Sequence, residues 1–217
     1  MESVFHAIAT SLLCSVAATA LAGLVGAPLG IWLGRHRFRG RRAVLVAART
    51  GMALPTVLVG LILYSILSRS GPLGGTGLLF TRTAIVIGEL ALALPIVVSL
   101  FAATTEALPR TLEATAKTLG AGRLRVYATV LSEARLGLLV AVLAAFGRVV
   151  SELGIAMMLG GNIKDHTRTM TTSIALETQK GSFRESLTLG LVLLAVSLAV
   201  NVVAHWVGST DRPEGSR

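Results

Sequence analysis

Three ionisable side chains interrupt otherwise apolar stretches of the sequence, where they could act electrostatically. Arg148 and Glu152 are four residues apart, so a helix would place both on one face. Intramembrane charges are costly and usually face the interior of a helix bundle or a water-filled path. An ion pair, within the helix or between subunits, is favoured over Arg148 alone attracting an anion, because Glu152 would cancel most of its field. We expect Glu89 to pair similarly with an arginine of another stretch.

A threonine-rich segment, GGNIKDHTRTMTTSIALE, separates two apolar runs. Its hydroxyls, backbone amides and basic side chains are hydrogen-bond donors, which suit an oxyanion because the oxygens of an oxyanion only accept. The competing interpretation is that these are ordinary helix-cap and loop residues whose donors face water. The candidate binding residues are Gly160, Gly161, Asn162, Lys164, Thr167, Arg168, Thr171 and Thr172.

The composition argues against a water-soluble domain. Of the 217 residues, 53% are hydrophobic and 14% are charged, whereas soluble domains carry about 25% charged residues. The net charge of +9 comes from basic residues clustered between apolar runs, which indicates membrane orientation rather than nucleic-acid binding. The single cysteine, Cys14, is expected to pack in the interior. The four scattered histidines lack the spacing of metal ligands, so no metal site is expected.

Five stretches are long and apolar enough to cross a bilayer as helices, for which about 20 residues suffice. They run from Phe5 to Gly34, from Ala43 to Leu67, from Arg82 to Thr104, from Leu136 to Leu159 and from Leu187 to Val207. We therefore predict an all-α integral membrane protein with five transmembrane helices.

Basic residues orient these spans. The links after the first and third spans, together with the C-terminal tail, hold twelve lysines and arginines, and the opposite side holds six. Because the richer side is usually cytoplasmic, we predict a multi-pass protein of the cytoplasmic membrane with its N-terminus outside and its C-terminus inside. No cleavable signal peptide is expected, since the first arginine is Arg35 and the first apolar run is too long.

Glycines in the first span indicate close helix packing. Gly26, Gly30 and Gly34 recur every four residues, so they share one helix face. Small residues at this spacing let two helix backbones approach each other in lipid. The alternative is that they are incidental glycines in a glycine-rich chain. Pro28, in the same span, is expected to kink the helix.

The link between the third and fourth spans contains a predicted amphipathic helix from Pro109 to Gly120. Proline suits a first helical turn and glycine suits a helix end. One face would carry Leu108, Leu112, Ala116 and Leu119, and the other would carry Arg110, Glu113 and Lys117. Glu113 and Lys117 have the spacing of an i,i+4 ion pair. Such a helix could dock into a groove on another protein or lie on the bilayer surface.

This segment resembles the coupling motif, E-A-A-x-x-x-G, of ABC-importer permeases. The resemblance implies a type I permease fold, with a coupling loop at about 105–135 inserted into an ATP-binding subunit. The implied coupling residues are Glu113, Ala114, Ala116, Lys117, Leu119, Gly120 and Ala121. The sequence departs from the motif twice. Ala114 stands where the motif glutamate belongs, with Glu113 one place earlier, and Ser132-Glu133 replaces a later Leu-Pro.

Residues 132–183 resemble tungstate-type permeases, which are relatives of molybdate and sulfate permeases. The resemblance implies a single permease domain over 1–217, with a core at about 5–207, that moves an oxyanion. The subgroup favours tungstate, and the alternative is molybdate or sulfate. The threonine-rich segment would then form an outer pore or gate. An ATP-independent anion channel or secondary transporter is the alternative from another class.

The sequence contains no phosphate-binding G-x-x-x-x-G-K-[ST] motif, so an ATP-driven machine would need a partner ATPase. We therefore expect no catalytic residue and no cofactor in this chain, with ATP and Mg²⁺ bound by the partner. The implied partners are a second copy of the chain, ABC ATP-binding subunits, an extracytoplasmic oxyanion-binding protein and membrane lipid, but not nucleic acid.

Overall fold

The computed structural model describes residues 2–209, with side chains described from Val4 to Gly208. Within these residues the chain forms α-helices, one short 3-10 turn and connecting loops. The helices are α1 (Glu2–Arg35), α2 (Arg41–Gly51), α3 (Thr56–Leu67), α4 (Arg82–Ala107), α5 (Thr111–Thr118), α6 (Arg123–Glu133), α7 (Arg135–Val150), α8 (Gly154–Gly160), α9 (Met170–Gln179) and α10 (Phe183–Ser209). The all-α prediction is confirmed. Arg212 and Arg217, which contributed to the orientation prediction, lie outside the described residues.

Three helices in the described part of the chain are individually long and apolar enough to cross a membrane. They cover Val4–Arg35, Arg82–Ala107 and Phe183–Gly208, and they contain the first, third and fifth predicted spans. Two bent helix pairs, α2 with α3 and α6 with α7, raise the number to five if each pair is one span. The prediction of five spans therefore holds only with broken spans included.

The second predicted span, from Ala43 to Leu67, was wrong as one continuous helix. It is divided into α2 and α3, whose axes meet at 98°. Pro55, in an extended conformation at the N-cap of α3, causes the break, because proline lacks an N–H and disfavours helical geometry in the residue before it. α2 is amphipathic and has no buried residue, whereas α3 is strongly apolar.

The fourth predicted span, from Leu136 to Leu159, was also wrong as one helix. α7 ends at Val150 and the short helix α8 begins at Gly154. The interruption is stabilised locally, because Gly154 N–H donates to the Glu152 carboxylate over 2.9 Å and so caps α8. α8 then folds back into the interior against α3 and α4.

α1 and α4 form the packed centre of the molecule. A Cβ atom added to Gly26 would lie 2.8 Å from Val97, and one added to Gly30 would lie 3.0 Å from Phe101. At Gly34 an added Cβ would collide with Thr105 and with a backbone oxygen of α4. The predicted glycine face is confirmed: it lets the two helix backbones approach closely. The predicted kink at Pro28 stays a prediction, although the proline lies inside α1.

α10 lies at the outside of the helix bundle. Of the most apolar 18 residues of this helix, only 6% are buried inside the protein. Its inner side packs against Phe146 of α7 and Met170 of α9. Its outer side leaves four leucines exposed, namely Leu187, Leu191, Leu194 and Leu198. An exposed apolar surface of this kind is compatible with lipid.

Replacing Gly30 with valine should destabilise the protein by about 1–3 kcal/mol, the usual cost of overpacking a tight contact. The added side chain would collide with Phe101 on α4. The measurement is the midpoint of thermal unfolding in detergent. The control is Gly190→Val in α10, where an added Cβ would meet no atom within 4 Å. Equal midpoints for both variants would contradict close α1–α4 packing.

Candidate functional site

Arg148 and Glu152 form an ion pair at the break between α7 and α8. Arg148 Nη1 donates to Glu152 Oε2 over 2.8 Å. The glutamate side chain is 6% exposed and the arginine side chain 41% exposed. The predicted ion pair is therefore present within one chain, but at the end of a helix rather than inside a continuous span. Because the other carboxylate oxygen caps α8, Glu152 connects two helices as well as balancing the arginine charge.

Glu89 does not have the predicted arginine partner. It is buried in α4, and within the described side chains it forms no ion pair. One of its carboxylate oxygens and the hydroxyl of Ser15 on α1 are buried without a hydrogen bond of standard geometry, although the two groups lie close enough to interact. The prediction failed because α1 faces α4 here with small and hydroxyl side chains, among them Cys14 and Ser15, rather than with arginine.

The hydroxyls of the threonine-rich segment are engaged within the protein. Thr167 donates to the carbonyl oxygen of Gly160. Thr171 Oγ1 donates to the carbonyl oxygen of Glu152 over 2.9 Å. Thr172 and Thr169 form a reciprocal capping box at the start of α9. The structure therefore favours the helix-cap interpretation for these threonines, since their donors are already used.

The glycines and the basic residues of the same segment lie at the turn between α8 and α9 rather than in the cap of α9. Gly161 and Asn162 both have positive φ, of 69° and 51°, and form the tight turn that ends α8. Arg168 Nε donates to Asn162 Oδ1 over 3.1 Å, so the arginine steadies this turn. Lys164 is exposed and belongs to no ion pair among the described side chains. Lys164 is thus the candidate cation that remains accessible to an anion.

The predicted helix from Pro109 to Gly120 is present as the shorter helix α5. It ends at Thr118, and the chain then turns at Gly120, whose φ of +79° lies in the left-handed region that favours glycine. The N–H of Ala121 donates back to the carbonyl of Ala116 over 3.0 Å, which closes the last turn. The sequence signal for this helix end was therefore sufficient.

The predicted ion pair between Glu113 and Lys117 was wrong. Glu113 instead accepts a hydrogen bond from Arg35 Nε over 2.7 Å. The Arg35 side chain is only 4% exposed, so its charge requires an internal partner more than the exposed lysine does. Arg35 was not predicted to be the partner of Glu113, because the two residues are 78 positions apart. Its position directly after Gly34, the last glycine of the close-packing helix face, was a usable signal.

The predicted apolar face of α5 is divided between two environments. Leu108 and Leu112 pack against an interior cluster that includes Phe101. Leu119, expected on the same face, is 83% exposed, because the helix ends there and the chain turns at Gly120. Leu124, at the start of α6, is 84% exposed and was not singled out from the sequence. The two exposed leucines flank one turn among basic residues, which is unlike a lipid-facing surface.

The comparison with known families decides the class of this protein. Residues 26–209 match the family described as "Binding-protein-dependent transport system inner membrane component". The chain belongs to this family. It is 44% identical to the tungstate uptake system permease protein TupB of Campylobacter jejuni over 94% of this chain and 85% of that protein. It is 40% identical to TupB of Peptoclostridium acidaminophilum over 93% and 89% of the two chains.

More distant relatives and solved structures agree with this membership. The chain is 27% identical to the molybdenum transport system permease protein ModB of Escherichia coli K12 over 95% of this chain and 96% of that protein. An inward-facing structure of the MetNI methionine ABC transporter superimposes with a TM-score of 0.76 at 15% identity, covering 98% of both chains. A bacterial ABC transporter for alginate gives a TM-score of 0.74 at 16% identity over 100% and 81%. The predicted type I ABC-importer permease fold is confirmed.

Replacing Glu152 with alanine should destabilise this family member by about 1–3 kcal/mol, because it leaves Arg148 and the Gly154 N–H without their partner. The free energy of unfolding in detergent measures the effect. The matched control is Glu177→Ala in α9, where the glutamate side chain is 16% exposed. There the Lys180 ammonium donates over 2.8 Å and lowers the pKa of the Glu177 carboxyl, but Lys180 is exposed. If the control lost as much free energy of unfolding or more, the break between α7 and α8 would not depend on Glu152.

Proposed function

We propose that this chain is the permease subunit of an ATP-driven ABC importer that carries tungstate across the cytoplasmic membrane. Family membership supports the transport role, and the identities of 44% and 40% to two tungstate uptake permeases support the substrate. Both matches cover more than nine-tenths of this chain. The proposal places the N-terminus outside and the C-terminus inside.

We assign the docking surface for an ATP-binding subunit to the exposed leucines at the turn between α5 and α6. Leu119 and Leu124 are the most exposed of the large apolar side chains described, at 83% and 84%. They stand beside Lys117, Arg123 and Arg125, so this surface is too basic to sit in the bilayer core. An apolar centre within a polar or charged rim is the usual arrangement of a protein-binding surface. A groove on the ATPase is the occupant that this family membership favours.

The proposed cycle uses two copies of this chain and two ATPase subunits. Closure of the ATPases around ATP and Mg²⁺, which they bind themselves, moves α5 and opens the permease pair outward. An extracytoplasmic binding protein then releases its anion into the pore, and hydrolysis returns the pair to the inward-open state. This chain contributes no catalytic residue to the cycle; it binds the ATPase and forms the path.

The proposed path begins at the outer turn after α8. Lys164 offers an accessible positive charge there, and Arg168, which donates to Asn162 in the same turn, is partly exposed. An outer pore or gate must attract the anion but also let it go, so a few partly solvated donors suit it better than a closed binding site. Tungstate and molybdate have the same charge and nearly the same size, so we assign their discrimination to the binding protein.

Replacing both Leu119 and Leu124 with glutamine should weaken ATPase association by about tenfold or more, since each buried hot-spot side chain contributes about 1–2 kcal/mol or more. Co-purification of the ATPase with the permease in detergent measures the loss. Ser132→Gln, at an exposed position of α6, is the control. Undiminished ATPase association in the double variant would contradict the docking assignment.

Cells that lack this chain should lose tungsten selectively. The cells are supplied with trace tungstate and molybdate together, and elemental mass spectrometry measures both metals in cells with and without the chain. We expect tungsten to fall by about tenfold or more while molybdenum stays unchanged, because discrimination of that size needs about 1.4 kcal/mol at the binding protein. Equal loss of both would indicate a broader oxyanion importer. No loss of either would contradict the oxyanion assignment.

A further inference from the structure

We propose that Arg35 is the positioning residue that transmits movement of α5 into the membrane helices α1 and α4. This inference rests on the proposed function, in which α5 docks to the ATPase. It adds a residue outside the coupling motif and assigns it the mechanical link between the docking helix and the transmembrane core.

Arg35 uses its whole guanidinium group to hold the start of the coupling loop. Nη1 donates to the carbonyl oxygens of Thr105 over 3.0 Å and of Leu108 over 2.7 Å. Nη2 donates to the carbonyl oxygen of Pro109 over 3.3 Å. Nε donates to the Glu113 carboxylate over 2.7 Å. One side chain therefore joins the last residue of α1, the end of α4 and the first turn of α5.

Two of these bonds go to carbonyl oxygens at the end of α4, those of Thr105 and Leu108. The last carbonyl oxygens of α4 have no partner within their own helix, and they carry the negative end of its dipole. A buried arginine beside them supplies both hydrogen bonds and positive charge. The planar fork of the guanidinium suits four acceptors at fixed positions, which a lysine ammonium cannot reach together.

The connection that Arg35 bridges is a break between two helices rather than one continuous helix. Leu108 is extended, with φ −64° and ψ 142°, so the helical path is interrupted between α4 and α5. Apart from the backbone, the apolar contacts of Leu112 hold α5 to the interior. Next to this connection, Gly34 of α1 packs directly against Thr105 of α4, so the ends of these two helices are held tightly together. A push on α5 therefore reaches both helices through Arg35.

A second arginine pair nearby provides a matched comparison. Arg41 Nη2 lies 2.8 Å from Glu106 Oε2 at the same end of the bundle, but the Glu106 side chain is 52% exposed. The Glu113 side chain is 24% exposed and that of Arg35 only 4%. Exposed ion pairs contribute little, whereas removal of one partner from a buried pair leaves the other uncompensated. Loss of Glu106 should therefore have little consequence.

The experiment measures anion transport and ATP hydrolysis together, in proteoliposomes that contain the complete transporter with its binding protein and tungstate. The variants are Arg35→Met, Arg35→Lys and Glu113→Gln, with Glu106→Gln as the control. In Arg35→Met we expect the ATPase to remain associated and ATP to be hydrolysed. We expect the tungstate moved per ATP to fall by about tenfold or more, because coupling between distant sites is typically 5–150-fold. Arg35→Lys should lose less, and Glu106→Gln nothing.

An unchanged ratio of tungstate to ATP in both Arg35 variants would overturn the proposal, whether or not overall activity falls, because a merely structural role lowers both rates together. If Arg35→Met does not fold, the ratio in Arg35→Lys and Glu113→Gln decides in the same way. The double variant Leu119→Gln and Leu124→Gln, measured in parallel, separates the two assignments. ATPase association that survives in that variant contradicts the proposed docking, whereas an unchanged ratio in the Arg35 variants contradicts only the link.

Discussion

The close approach of α1 and α4 is the constraint on which the rest of the structure depends. In a membrane the hydrophobic effect does not drive helices together, so contact must come from van der Waals packing and from buried hydrogen bonds. Three glycines on α1 provide the first, and the Thr105 hydroxyl provides the second, since the Gly30 carbonyl oxygen, 3.2 Å away, is one of its three acceptors beside two carbonyls of α4. This contact holds α1 beside the end of α4, where Leu108, the extended residue before Pro109, interrupts the helix and the connection to α5 begins.

The polar side chains of the interior complete the helices that the fold interrupts. Glu152 caps α8, Thr171 donates to the carbonyl of Glu152, and Arg35 covers the end of α4. Away from water, an unsatisfied backbone group would be costly, so each helix end requires such a partner. Residues that could be mistaken for ligand groups therefore have structural roles. The groups that remain open, such as Lys164 at the turn after α8, are better candidates for contact with an anion.

Local patterns in the sequence were sufficient for much of this fold. Apolar length located α1, α4 and α10, the four-residue spacing of glycines indicated the tight helix face, and Gly120 indicated the end of α5. The break at Glu152 could not be read in the same way, because a glutamate that caps the next helix looks like an intramembrane charge until the bend is known. Its neighbours were apolar, so length alone predicted a continuous span.

The candidate sites depended on long-range pairing, which local spacing cannot supply. Glu113 had a lysine four residues ahead, and that spacing predicted the wrong partner, since the burial of Arg35 decides the pairing. For Glu89 the sequence contained arginines but no indication of which helix would face it. The chain turn at Gly120 also separated Leu119 from Leu108 and Leu112, with which periodicity alone had placed it on one apolar face.

Cysteine crosslinking at the α5–α6 turn tests most directly that an ATPase docks there. Cys14, a buried free cysteine, is first replaced by serine. Leu119→Cys is then combined with single cysteines along the groove of the ATPase subunit. We predict a crosslinked permease–ATPase product that changes in yield when ATP is added. Crosslinking no stronger than from Leu187→Cys, on the exposed side of α10, would contradict docking at α5.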